Sequence, residues 1–121
     1  MMVKVLIADD KATSRELVRT VLEKVGYTVV EAADGIEALQ SARDSVPDII
    51  ILDLQMPGLD GFSVLEELRK DPRFVATPIL ALTASAMQGD RERALHIGFT
   101  GYVTKPIRLQ VLRSEVERLL R

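Results

Sequence analysis

Short, continuous apolar runs alternate along this chain with longer stretches in which apolar residues recur every three or four positions. The first kind suits a parallel strand covered on both faces, the second an amphipathic helix packed on one. Val3 to Ala8 is such a run. Leu17, Val18, Val21, Leu22 and Val25 then recur at helical spacing after the capping-type residues Thr13 and Ser14, and Gly26 supplies a stop. Thr28 to Ala32 predicts a second strand, after which Asp34-Gly35 turns into a helix with Ile36, Leu39 and Ala42 on one face, closed off by Pro47. Ile49-Ile50-Ile51-Leu52 is the most strongly apolar run and predicts the central strand; a loop at Met56-Pro57-Gly58 follows it. Phe62, Leu65 and Leu68 carry a third helix, and Pro78 opens a strand from Ile79 to Thr83. A fourth helix is expected from about Met87 to Ile97, ahead of Gly98. A fifth strand, Gly101 to Thr104, meets Lys105-Pro106, and Leu109, Leu112, Val116 and Leu119 mark the last helix. Five βα units fill the chain, which predicts an α/β fold of three layers with right-handed crossovers placing helices on both faces.

Composition narrows the function. The 121 residues are the size of one domain with a single core, so 1–121 is read as one unit. A net charge of -2 offers no basic footprint for nucleic acid, and no direct contact with it is expected. The absence of cysteine excludes disulfides and thiolate-bound zinc. No apolar run approaches the roughly 20 residues of a membrane span, and the start does not resemble a signal peptide, so no membrane association and a cytoplasmic location are expected.

The candidate chemistry lies where the predicted strands end. Asp9 and Asp10, Asp53, Thr83 and Lys105 each follow or close an apolar run, and in an open parallel sheet the carboxyl ends of the strands share one edge where ligands bind. Three acids, a hydroxyl and a cation there suit a divalent metal and a phosphoryl group. Taken singly, each has a plainer role: Asp10 and Asp34 as helix caps, Thr83 as a strand end, Lys105-Pro106 as a turn. Only one of Asp9 and Asp10 can cap, however, and Asp53 after four large apolar residues would have its pKa raised by desolvation unless a cation or donors were near. Two carboxylates about 4 Å apart repel by roughly 4 kcal/mol at an effective dielectric of 20, so an unloaded site is expected to be strained. The sole histidine, His96, near a helix end, is read as a partner of terminal carbonyls and not as a phosphorelay histidine.

Other phosphate chemistries lack their parts. Neither G-x-x-x-x-G-K-[ST] nor G-x-G-x-x-G follows the first strand, and an FMN phosphate would be repelled by Asp9 and Asp10. A haloacid-dehalogenase-type phosphatase would carry a general acid two residues after its aspartyl nucleophile; that position is Gln55, and an amide cannot donate and recover a proton at neutral pH.

Asp9-Asp10 after the first strand, Asp53 within Leu52-Asp53-Leu54-Gln55-Met56-Pro57-Gly58-Leu59-Asp60-Gly61, Thr83-Ala84, and Tyr102 three residues before Lys105-Pro106 together resemble the receiver domain of two-component response regulators over nearly the whole chain. The resemblance implies a doubly wound, flavodoxin-like five-stranded parallel sheet of order 2-1-3-4-5 with five helices. It implies that Asp53 accepts a phosphoryl group from a histidine kinase or histidine phosphotransfer protein, with Lys105 and Thr83 contacting that group. Mg²⁺ would be held by Asp10, Asp53 and the Gln55 backbone carbonyl, with Asp9 assisting through water. Thr83 and Tyr102 would form the switch, and the Lys105-Pro106 bond would be cis. Such a chain is a self-modifying phosphoacceptor, not an enzyme, with weak autodephosphorylation. Its docking face would comprise Arg91, Leu95, Tyr102, Thr104, Val111, Glu115 and Arg118, offered to a downstream protein by a monomer or weak dimer. Because one helix follows Lys105-Pro106, a standalone receiver is expected, and the stretch from Thr83 to Glu92 is similar to hybrid-kinase and cell-division-type receivers more than to chemotaxis ones. The alternatives are a receiver excised from a larger regulator, one serving chemotaxis or surface motility, or a Mg²⁺-dependent aspartyl-phosphate phosphohydrolase.

Overall fold

All five apolar runs form strands of one parallel sheet, ordered β2-β1-β3-β4-β5 as the resemblance implies. The computed structural model describes residues 2–84 and 90–121. Its elements are β1 (Lys4–Ala8), α1 (Ala12–Val25), β2 (Thr28–Ala32), α2 (Gly35–Ser45), β3 (Ile49–Asp53), α3 (Gly61–Arg69), a short 3₁₀ turn (Pro72–Phe74), β4 (Ile79–Thr83), α4 (Asp90–Ile97), β5 (Gly101–Thr104) and α5 (Leu109–Leu120). The expected start of the fourth helix at Met87, and residues 85–89 of the stretch from Thr83 to Glu92, lie outside the described residues.

Strand alternation splits the core in two. Val5 and Ile7, Ile49 and Ile51, Leu80 and Leu82, and Val103 point to one face, where Val18, Val21 and Leu22 of α1 and Leu112 and Val116 of α5 cover them. Leu6 and Ala8, Ile50 and Leu52, and Ile79 and Ala81 point to the other, beneath Ala38 and Ala42 of α2, Val64, Leu65 and Leu68 of α3, and Ala94 of α4. Both faces of the central strands are therefore dry, which is why β3 and β4 are continuous apolar runs. Register pairs Ile7 with Ile51 and Ile51 with Leu80, so the carboxyl ends of β1, β3 and β4 finish together.

Four details differ from the sequence pattern. Helix α1 starts at Ala12, ahead of Thr13 and Ser14, and its N-cap Lys11 makes no side-chain cap bond; the turn is set from upstream, by Asp9 accepting the Lys11 N–H. Leu17 is 38% exposed, since Val18, Val21 and Leu22 already fill the face toward the sheet. Ile36 is 69% exposed because the small Ala38 and Ala42 are the residues that seat α2 on the sheet. Leu109, 46% exposed, stands at the first position of α5, before the turn at Leu112 that makes contact. Helix α1 does stop at Gly26, in the left-handed region (φ 102), and α2 stops at Val46 (φ 44) just before Pro47.

Candidate active site

Each strand end is stitched to its neighbour by the backbone, and this fixes the side chains that follow. Asp9 N–H donates to Ala32 C=O (3.1 Å), Leu54 N–H to Leu82 C=O (2.8 Å), and Lys105 N–H to Thr83 C=O (2.7 Å). Asp9, Asp53 and Thr83 are buried, whereas Asp10 is exposed. Ligand oxygens of Asp9, Asp10 and Asp53 all lie within 4.8 Å of one another. The Lys105 ammonium reaches into this cluster, 2.7 Å from Asp9 Oδ2 and 3.3 Å from Asp53 Oδ2. The Lys105-Pro106 bond is cis, as expected.

The remaining carboxylate lone pairs are met locally. Asp9 Oδ1 accepts from Lys11 N–H (2.9 Å), and Asp53 Oδ1 from Gln55 N–H (3.1 Å). Asp9 Oδ2 is buried and has no hydrogen bond of good geometry, so the close ammonium is its compensation by charge alone. Strain in the metal-free site is thus smaller than two bare carboxylates would give, because Lys105 bridges them. It is not removed: three carboxylates against one ammonium leave two negative charges in excess, the charge of one divalent cation. Oxygen-only donors with one exposed member fit a hard ion that keeps part of its water.

Charge state follows from these neighbours. Burial pushes the Asp53 carboxyl above its usual range and the Asp9 charge adds to this, against the Gln55 N–H and Lys105. For Lys105, burial acts downward but Asp9 and Asp53 outweigh it, and the ammonium is held above its ordinary value. Because Asp53 binds its proton more tightly when folded than when unfolded, its contribution to stability falls as pH rises from the ordinary carboxylate range through the raised one. Chemical denaturation in EDTA should therefore show wild type losing stability relative to Asp53→Asn over that interval. Parallel pH profiles of the two proteins would contradict this.

Two glycines complete the site by letting backbone segments approach closely. A Cβ on Gly61 would lie 2.5 Å from the Asp53 carbonyl oxygen and 2.9 Å from Leu54 Cα, so only glycine lets α3 begin this close behind Asp53. A Cβ on Gly35 would overlap the Leu59 carbonyl oxygen, where α2 starts against the β3–α3 loop. Nothing in a one-dimensional pattern marks such approaches. Asp34 caps α2 through Glu37 N–H, as its plainer role predicts, and His96 is exposed near the end of α4.

The expected docking residues gather on the α4–β5–α5 side. Arg91, Leu95, Thr104, Val111 and Arg118 are exposed, and Tyr102 and Glu115 are half-buried. Arg118 pairs with Glu115 (2.7 Å) and holds its carboxyl below the usual range against burial, with a smaller contribution from the Arg91 charge, and the Glu115 carboxylate approaches β5 closely. Gly101 allows this approach, since a Cβ there would meet Leu80 at 2.8 Å and Glu115 Oε1 at 3.1 Å.

Comparison with known proteins agrees with this geometry. The sequence profile described as the response regulator receiver domain matches residues 5–117. The probable transcriptional regulator ycf27 of Guillardia theta is 43% identical over 118 residues, covering 98% of this chain and 45% of that protein. The chain spans about half the length of most of the curated relatives it matches. Among solved structures, the chemotaxis response regulator CheY4 of Vibrio cholerae superposes with a TM-score of 0.93 at 36% identity, covering 99% of this chain and 100% of that one. The receiver domain of sensor histidine kinase PA1611 from Pseudomonas aeruginosa, with a magnesium ion coordinated in its active site cleft, gives 0.89 at 35%, covering 99% and 98%. Chemotaxis and histidine-kinase receivers thus stand at similar identity to this chain.

Proposed function

The chain belongs to the response regulator receiver domain family, and on that premise we propose that it is a phosphorylation switch whose acceptor is Asp53. The Asp9, Asp10 and Asp53 cluster with its Lys105 ion pairs is a receiver active site, and their convergence within 4.8 Å is the observation that carries the proposal. The phosphoryl donor is a phosphohistidine on a histidine kinase or a histidine phosphotransfer protein. An Asp53 carboxylate oxygen bonds to phosphorus while the P–N bond breaks and the imidazole leaves with that electron pair. Strand β3 and the Gln55 N–H hold Asp53 for in-line attack, and Lys105 and Thr83 face the equatorial oxygens as their charge develops. Asp10, Asp53 and the Gln55 backbone carbonyl would hold Mg²⁺, with Asp9 acting through water. When bound, this ion supplies neutralisation of the excess negative charge. The PA1611 receiver, with its magnesium, supports that choice of metal.

Retention of the phosphoryl group follows from Gln55, whose side chain is an amide where a phosphatase of this type needs an acid. The chain therefore acts as a phosphoacceptor and not as an enzyme. No helix among the described residues is long and apolar enough to cross a membrane. A cytoplasmic place is proposed from the kinase partner alone.

Output is proposed to leave by the α4–β5–α5 face, with Thr83 and Tyr102 as the relay. Moving a two-state equilibrium from 1:99 to 99:1 takes about 5.5 kcal/mol, part of which a partner preferring the active state can supply. Titrating the phosphorylated and unphosphorylated forms against the downstream protein should give tighter binding of the former. Tyr102→Ala or Leu95→Ala should weaken that binding about tenfold, roughly 1.4 kcal/mol, without preventing phosphorylation. Equal affinities of the two forms, or a contact surface on α2 and α3, would show that the signal leaves elsewhere.

A further inference from the structure

Asp10 is the one exposed member of the acidic cluster, and its side chain is held by no hydrogen bond or ion pair among the described residues. Where its carboxylate can reach is therefore limited by the backbone that carries it. The last pairing of β1 with β3 is Ala8 with Leu52, so the Asp9 carbonyl has already left the sheet. That carbonyl accepts a 2.7 Å hydrogen bond from Arg15 Nη1. A peptide unit is planar, so holding the Asp9 oxygen restrains the Asp9–Asp10 plane and with it the Cα from which the Asp10 side chain springs.

Arg15 is itself anchored. Its side chain is only 18% exposed, and its Nε donates to Glu31 Oε1 at 3.1 Å. Glu31 lies on β2 opposite Ile7, and its other oxygen accepts from Arg19 at 2.7 Å. Hydrogen bonds from Arg19 first, and then from Arg15, hold the Glu31 carboxyl below its usual range against the opposing effect of burial. Glu31 has a second effect. A guanidinium bonded to the carbonyl next to a cation site would repel the cation unless its charge were balanced, and Glu31 balances it.

We infer that Arg15 is a positioning residue for the metal-binding pair Asp9–Asp10, with Glu31 as the counter-charge that keeps Arg15 from opposing the metal; this rests on the Mg²⁺ site proposed above. Arginine suits the role because its fork serves the carbonyl and the carboxylate together, which a lysine ammonium at that distance cannot. Removing a partner of this kind typically weakens metal binding by about 10- to 100-fold.

Calorimetric titration of Mg²⁺ into the full chain tests this, with backbone amide shifts of residues 9–11 as a readout independent of phosphorylation. Arg15→Ala should bind Mg²⁺ about 10- to 100-fold more weakly and shift those amides, and labelling by a small acyl phosphate should recover at saturating Mg²⁺. Arg15→Lys should fall between Arg15→Ala and wild type. Glu31→Gln should also weaken Mg²⁺ binding, by a factor that shrinks as ionic strength rises. Arg15→Ala that is less stable but binds Mg²⁺ as tightly as wild type would overturn the inference and leave Arg15 as a fold residue only. Should Arg15→Ala fail to fold, unchanged Mg²⁺ affinity in Glu31→Gln would overturn it equally. Wild type that takes up no Mg²⁺, with Asp10→Asn as the control, would instead bring down the proposed metal site and this inference with it.

Discussion

Asp53→Asn leaves the fold intact and reduces phosphoryl acceptance from a cognate kinase or a small acyl phosphate to less than roughly a thousandth of wild type, more than about 4 kcal/mol of barrier. The amide is nearly isosteric, so β3 and its stitching to β4 through Leu54 are untouched. What is lost is the anionic oxygen proposed to attack phosphorus. In the metal-free protein the same change removes one of the crowded charges, and the variant should be more stable at neutral pH, since two unit charges 4 to 5 Å apart at an effective dielectric of 20 repel by roughly 3 to 4 kcal/mol and lose in exchange only the Lys105 contact. Quantitative labelling with a denaturation curve checks both halves. Undiminished labelling of Asp53→Asn at another residue would remove Asp53 from the acceptor role.

Lys105→Met is expected to have the largest effect on stability. Asp9 is fully buried, and its Oδ2 has the Lys105 ammonium as its compensation. Removing one partner of a buried ion pair costs about 3 to 5 kcal/mol because the other charge is stranded. The loss should sit near the lower figure, since burial already pushes the Asp53 carboxyl upward and losing the ammonium lets it take a proton more readily, neutralising part of the site. Mg²⁺ should bind this variant more tightly than wild type, because a competing cation is gone, and should restore stability in proportion to its concentration. Urea denaturation with and without Mg²⁺ measures both effects. A variant as stable as wild type in EDTA would mean that the ammonium does not compensate Asp9.

The fold and the residue set of the site were legible in the sequence for a definite reason. In a doubly wound sheet the strands are buried on both faces, so Ile49–Leu52 and Ile79–Leu82 are continuous apolar runs, and polar residues that close them must meet at one edge. Asp9, Asp53, Thr83 and Lys105 follow from that argument alone. Helix faces were less legible: Leu17, Ile36 and Leu109 have the right residue type at almost the right spacing, yet the crossing of each helix on the sheet turns them outward. Least legible were contacts between residues distant in sequence. The bond from Arg15 to the Asp9 carbonyl, the clearance at Gly61 and the ammonium of Lys105 lying between two carboxylates depend on backbone positions that no periodicity encodes.

On the proposed function, Asp53 accepts the phosphoryl group with the help of a divalent metal. The most direct measurement is mass spectrometry of peptides from the wild-type chain after incubation with a phosphohistidine donor or a small acyl phosphate, in Mg²⁺ and in EDTA. A single hydroxylamine-labile phosphoryl group on the peptide containing Asp53, formed in Mg²⁺ and absent in EDTA, is the result predicted. Labelling of any other residue, or labelling of Asp53 that is indifferent to the metal, would contradict it.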